Sequence, residues 1–348
     1  MATLTLSSSF RIPDQPGLSA AVTNSSATQF ERVANGLTYT FKGTSFQYGS
    51  DGEPSSGVLN GLDISSGGNL VVRIALTDVQ VSRGLQGFSS TPQSSNFLAF
   101  LRDQFGSIDT LTGSSGNDYL IGYDGADSMS GGLGDDTLDG DEVGFSGGSD
   151  TMDGGAGSDT IRGLEGDDLL RGGAGNDDVN GNLGADTVYG GDGVDVVRGG
   201  QGADMVYGEV DNDSHINGNI GNDTVYGGDG NDMVFGGQDD DRLFGDEGIF
   251  GNSGLDTLSG DFGNDTLTGG GGADLFVMGT SATGNDVVTD FNFDEGDRLR
   301  LATGTTWEVT GGQGGVMLVL SFGGSTIGAL TLTGVAVGAV RNDWVVFG

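Results

Sequence analysis

The chain has 348 residues, with 13 Lys and Arg against 50 Asp and Glu and a formal net charge of −37. A surface that acidic repels nucleic-acid phosphates and anionic lipid and attracts cations, metal ions foremost. Cys is absent and there is one His, which excludes disulfides, thiolate metal sites, cysteine nucleophiles and a His-x-Glu-x-x-His zinc centre, and no run of about 18 apolar residues is present to span a membrane.

The first segment, residues 1–108, reads as a small β-rich N-terminal domain. Met1 to Ser7 lacks a basic region followed by a sustained apolar one, so no cleavable signal peptide is expected. Phe30 to Phe46 and Leu70 to Val81 are rich in strand formers, with Gly and Ser clusters at 49–57 and 65–68 between them. Asn96 to Phe105 places Phe97, Leu98, Phe100, Leu101 and Phe105 at helical spacing before Gly106, which predicts one short helix capping whatever follows.

From Gly113 to Val277 a nine-residue unit, Gly-Gly-x-Gly-x-Asp-x-apolar-x, is written seventeen times. A fixed short period of this kind predicts a parallel solenoid, here over residues 109–277. The sixth position is Asp in every unit: Asp118, Asp127, Asp136, Asp150, Asp159, Asp168, Asp177, Asp186, Asp195, Asp204, Asp213, Asp223, Asp232, Asp241, Asp256, Asp265 and Asp274. The eighth is apolar throughout, with Ile216 displaced by one extra residue. Each unit divides into a six-residue turn and a three-residue strand whose middle side chain alone is buried. Two such strands face each other, so one coil takes two units, or 18 residues, and unit n stacks on unit n+2. Glycines at positions one, two and four permit positive φ and turn carbonyls inward, and the Asp adds a carboxylate. Carbonyls and carboxylates together suit a hard cation, Ca²⁺ rather than Mg²⁺. Stacked carboxylates about 5–6 Å apart repel by roughly 3 kcal/mol when no ion lies between them, so the tract is expected to fold only when calcium binds.

Three departures stand out in the tract. The fourth and fifteenth units carry insertions that share Gly-Asp-Glu and a Phe, namely Asp141, Glu142, Phe145 and Asp246, Glu247, Phe250. These read as surface loops, with a further cation site or a subunit contact as the alternative. Asp211 and Asp239 replace Gly at the fourth position, which puts metal binding there in question. Tyr189, Tyr207, Tyr226 and Phe244 at alternate ninth positions predict an aromatic ladder on one face, either a stabilising stack or a lateral contact surface. Beyond Val277 the period is lost. Segments at 286–291, 297–301, 307–310, 316–322 and 326–333 predict strands of a C-terminal β cap over residues 278–348.

The units resemble those of the RTX (repeats-in-toxin, haemolysin-type calcium-binding) family. Membership would imply that the first and third carbonyls and the Asp of one turn meet the second and fourth carbonyls and the Asp of the turn two units on. For regular units the resemblance therefore implicates the carbonyls of Gly172, Gly173, Ala174 and Gly175 with Asp177, and of Gly190, Gly191, Asp192 and Gly193 with Asp195. Seventeen units give at most about fifteen calcium ions. The segment from Gly272 to Leu301 is similar to the β-roll end of serralysin-type secreted proteases. Asp343-Trp344-Val345-Val346-Phe347 is similar to their uncleaved signal for an ABC-type (type I) exporter, with Gly348 as a departure.

The fold expected is all-β, a calcium-binding parallel β-roll with a β-rich N-terminal domain and a β-strand C-terminal cap. The function expected is that of a non-enzymatic structural protein, extracellular or at the cell surface, such as a surface-layer or biofilm matrix component that self-associates. An adhesin or sugar-binding module is the alternative, as is a small hydrolase domain using acids among Glu31, Asp51, Glu53, Asp63 and Asp78.

Overall fold

A strand that buries only the eighth residue of each unit gains shelter by stacking on strands like itself. The computed structural model shows that stacking. It describes the strands of the first hundred residues by their backbone pairing, and residues 109–113, 115–141, 147–246, 253–279, 284–312 and 314–348 in full, with short gaps at some element ends. Residues 1–153 and 154–348 form two compact units.

In the second unit the chain winds between two parallel sheets. One contains Thr160–Glu165, Asp178–Leu183, Val196–Gln201, His215–Ile220, Met233–Gln238, Thr257–Phe262, Leu275–Met278, Arg298–Leu301 and Val345–Phe347, each parallel to the next. The other contains Leu169–Ala174, Thr187–Asp192, Met205–Val210, Thr224–Asp229, Arg242–Phe244, Thr266–Thr268, Asn285–Val288 and Ser325–Thr333. Register pairs such as Ile161 with Val179 confirm the 18-residue coil. The eighth positions form two facing columns. Ile161, Val179, Val197, Ile216, Val234 and Leu258 run down one, Leu170, Val188, Val206, Val225, Leu243 and Leu267 down the other, all with 0% exposure.

Two details of the expected unit are revised. Strands are six residues long, because the ladder continues into the first three positions of the next unit: Thr160–Glu165 takes in Gly163, Leu164 and Glu165. The ladder skips the first position, running Ile161↔Val179, Arg162↔Asn180, then Leu164↔Asn182. Left-handed backbone occurs at the second and fourth positions, as at Gly173 (φ 114°) and Gly175 (φ 138°), and not at the first. Where the second residue is not Gly, the conformation is retained at a cost: Leu164, Asn182, Glu209 and Asn219 have φ of 75–79°. Asp211 and Asp239, at fourth positions, hold φ of 79° and 77°, so the turn survives both substitutions.

The stacking runs past Val277 through Asn285–Val288 and Arg298–Leu301. Thr305–Gly312, Gly315–Phe322 and Ser325–Thr333 then form an antiparallel meander on the end of one sheet. Trp344 is buried there among Phe291 and Phe293 at ring distances of 5.2 and 5.7 Å, and Arg298 and Arg341 lie over the Phe293 ring.

In the first unit Gln29–Ala34, Leu37–Tyr48, Pro54–Ser66 and Asn69–Ser82 make an antiparallel meander. Ala2–Leu6 pairs parallel to Asn69–Ser82 and antiparallel to Asp109–Thr112. The latter pairs parallel to Ser128–Leu133 and so begins the coils. The helix expected at 96–105 lies outside the described residues, as do Glu142, Phe145, Glu247 and Phe250 of the insertions.

Candidate metal centres

From Asp127 onward the sixth-position aspartates are among the deepest charged groups of the roll. From Asp127 to Asp274 none is more than 3% exposed, whereas Asp118, in the first turn, is half-exposed. Each points its two oxygens in different directions. Oδ1 accepts the backbone N–H of the aspartate one coil earlier, which threads Asp159, Asp177, Asp195, Asp213, Asp232, Asp256 and Asp274 along one edge at 2.7–3.1 Å. Asp168, Asp186, Asp204, Asp223, Asp241 and Asp265 do the same along the other at 2.8–2.9 Å. In the first unit Asp118 and Asp127 donate to Asp136 and Asp150, each at 2.7 Å.

Oδ2 has a different environment. At Asp177, Asp186, Asp195, Asp204, Asp213, Asp223, Asp232, Asp241, Asp256 and Asp265 it is buried with no hydrogen-bond partner. Such an atom carries a desolvation cost of a few kcal/mol unless something binds it. The first glycine of each turn shows where. An added Cβ at Gly190 would lie 2.6 Å from Asp195 Oδ2 and 2.7 Å from the Gly208 carbonyl oxygen. At Gly172 it would meet Asp177 Oδ2 and the Gly190 carbonyl oxygen. Glycine leaves that space open, and a carboxylate and a carbonyl oxygen from successive coils face into it. A buried orphan oxygen, an open cradle and an all-oxygen donor set are what a calcium ion fits.

The remaining carbonyls implicated by the resemblance belong to the same turns. Gly173 O lies against Gly191, and Gly175 O against Gly193, where a Cβ would strike them. The Ala174 and Asp192 carbonyls accept the N–H of Gly157 and Gly175 at 2.9 and 2.8 Å, which locks neighbouring turns at a fixed spacing. Burial shifts the carboxyls strongly. Desolvation, the leading cause throughout, raises Asp177, Asp195, Asp204 and Asp232 to about 6, Asp186, Asp223, Asp265 and Asp274 to about 7, and Asp213, Asp241 and Asp256 to about 8. Neighbouring aspartates add to the rise, and the backbone N–H on Oδ1 opposes it.

Two members of the seams escaped the sequence pattern. Asp286 accepts the Asp265 N–H at 3.1 Å and Asp297 the Asp274 N–H at 3.0 Å. Both are buried, and burial raises both carboxyls, Asp286 to about 6. The signal for Asp286 was the surviving Gly284-Asn285-Asp286-Val287-Val288, which keeps the second half of the unit after the first half is lost. A second ladder at the fifth position was also missed. Asn176, Asn212, Asn222, Asn231, Asp240 and Asn264 accept the N–H of the fifth-position residue one coil later at 2.7–3.1 Å. It zips the outer lip of each groove and runs opposite to the carboxylate ladder.

A family model described as the RTX calcium-binding nonapeptide repeat (4 copies) matches residues 105–138, 146–179, 180–214, 217–249 and 250–279. No curated protein matches the sequence. Among solved structures, the extracellular lipase LipA from Serratia marcescens matches at 19% identity and a TM-score of 0.25, over 68% of this chain and 39% of that one. The chain thus spans well under half the length of that lipase. The repeated unit, the two-unit coil and the lines of buried carboxylates all agree with the family match: the chain belongs to the RTX calcium-binding nonapeptide repeat family.

Proposed function

We propose that this is a secreted structural protein of the cell surface or extracellular matrix, non-enzymatic, folded by calcium after export and able to self-associate. The observation that carries this reading is the pair of continuous carboxylate seams. Each seam leaves a row of buried oxygens without hydrogen bonds, so the coils hold together when cations fill the row and repel one another when they do not. Calcium modules of the extracellular kind bind at about 10⁻⁴–10⁻³ M, concentrations found outside cells. A chain that stays unfolded inside suits an ABC-type exporter, and Asp343 to Phe347 is the segment we assign to that signal.

Self-association has a physical basis in the outer face. Tyr189, Tyr207, Tyr226 and Phe244 stack at 4.7–4.9 Å with interplanar angles of 3–10°. Met205 beside them is 43% exposed. Electron microscopy of the purified chain with and without calcium tests the proposal. Sheets or filaments that form only with calcium are expected. A monodisperse monomer at high calcium, or glycosidase or esterase activity abolished by substitutions among Glu31, Asp63 and Asp78, would sink it.

A further inference from the structure

The outward face of the sheet that runs from Leu169–Ala174 to Thr266–Thr268 differs in charge from the edges of the roll. Each strand there turns its seventh and ninth residues outward and its eighth into the core. Over these six coils the seventh and ninth positions hold Arg171 and Arg242 and no carboxylate, whereas every turn at the edges carries an aspartate. Two chains of net charge −37 therefore repel least where these faces meet.

The face also has two unlike columns. The ninth positions are bulky: Tyr189, Tyr207, Tyr226 and Phe244 lie on one another at 4.7–4.9 Å, and the Arg171 guanidinium lies 5.2 Å from the Tyr189 ring centre. The seventh positions beside them are Thr187, Met205, Thr224 and Arg242, short or unbranched. The stacked rings cover one another's faces and turn their edges outward. The surface is thus a ridge beside a groove, not a platform on which a flat ring could lie. Such a surface is self-complementary. Half a turn of a second copy about an axis along the roll lays each ridge in the other's groove.

We propose that this face is the interface between two copies of the chain, side by side and running the same way, with the ninth-position ridge of each seated on the seventh-position column of the other. The proposal rests on the self-association reading above and gives it a geometry. Tyr207 then meets Met205 of the second copy, a sulfur–aromatic contact, and Phe244 meets Arg242 of the second copy, a cation–π contact. An axis along the strands would instead set ridge on ridge and leave the threonine column uncovered. Six strands about 4.8 Å apart, each about 20 Å long, span roughly 500–600 Å². That is less than the ~800 Å² per partner of a standard interface, so a single pair is weak and concentration-dependent.

The chain has no Cys, so single cysteines report the register. Full-length, calcium-saturated Met205→Cys and Tyr207→Cys are mixed in equal amounts and oxidised with diamide, and the linked dimers are identified by mass spectrometry. The mixed dimer is expected to exceed either like dimer by about tenfold, because only positions 205 and 207 of opposite copies come within disulfide reach. A mixed dimer no commoner than random pairing gives, from a chain that electron microscopy shows to assemble, would overturn this pairing and leave self-association standing. A wild-type chain that neither assembles nor cross-links through either variant would sink both. If Tyr207→Cys fails to fold, Thr224→Glu decides the matter. It puts a carboxylate on the outer face, away from core and turns. Sedimentation is expected to show association weakened by about tenfold or more, with the calcium isotherm and circular dichroism spectrum unchanged. Association equal to wild type would overturn the proposal, and is the outcome if copies meet through their acidic edges instead.

Discussion

Gly190 and Asp195 form two walls of one cradle, and their variants are expected to fail in different ways. Gly190→Ala drives a methyl group between Asp195 Oδ2 and the Gly208 carbonyl, where the backbone itself is not left-handed. We expect one calcium fewer by native mass spectrometry, with the remaining coils folded. Gly191→Ala instead forces an L-residue to φ near 120° and against the Gly173 carbonyl. Strain there is on the order of 1–2 kcal/mol before the clash is counted, so the calcium-saturated Tm falls. Asp195→Asn should reverse sign with metal. It removes a buried charge that neighbouring aspartates oppose, so in chelator the variant retains more structure than wild type, whereas in calcium it binds more weakly. Equal effects in both conditions would count against a ligand role.

At the scale of the strand, burial and surface stacking contribute unequally. Ile216 is fully buried between Val197 and Val234 in its column, and Ile216→Ala should cost about 2–5 kcal/mol. Tyr207 stacks on Tyr189 and Tyr226, and two such pairs are worth roughly 1–3 kcal/mol. Thermal denaturation at saturating calcium should rank Ile216→Ala below Tyr207→Ala, and the opposite ranking would mean the outer ladder supports the roll more than its core does. The same strands show what a sequence can reveal. The eighth and sixth positions were legible because burial and ligation each demand one residue class at a fixed place. The fifth-position ladder was not, because Asn176 and Asp240 differ in type and their role exists only against the stacked coil. Asp286 and Asp297 were hidden because their turns lack the leading pair of glycines that marked the others. Pro54–Ser66 was obscured by Gly and Ser at both its ends, although backbone pairing on both sides makes it a strand.

For the molecule as a whole, protons and calcium compete for the same buried oxygens. The seam carboxyls are raised from 3.8 to between about 6 and about 8, first by desolvation. A group whose folded value lies above its unfolded value binds protons more tightly when folded. Its stabilising effect is therefore complete below 3.8 and is lost as pH rises through 6 to 8. A carboxyl held near 7 destabilises the ionised, metal-free roll by roughly 4 kcal/mol, and a few of these match the whole stability of a typical domain, about 5–15 kcal/mol. With a net charge of −37 adding long-range repulsion, the metal-free chain should lose its β signal between about pH 5 and about pH 8.5. Millimolar calcium should restore it at the alkaline end, because bound cations replace the protons. Calcium binding near neutral pH should also release protons, detectable as a calorimetric enthalpy that depends on the buffer's ionisation heat. A chelated chain equally folded at both pH values, or an enthalpy indifferent to buffer, would mean that the seam carboxyls are already ionised and compensated without metal.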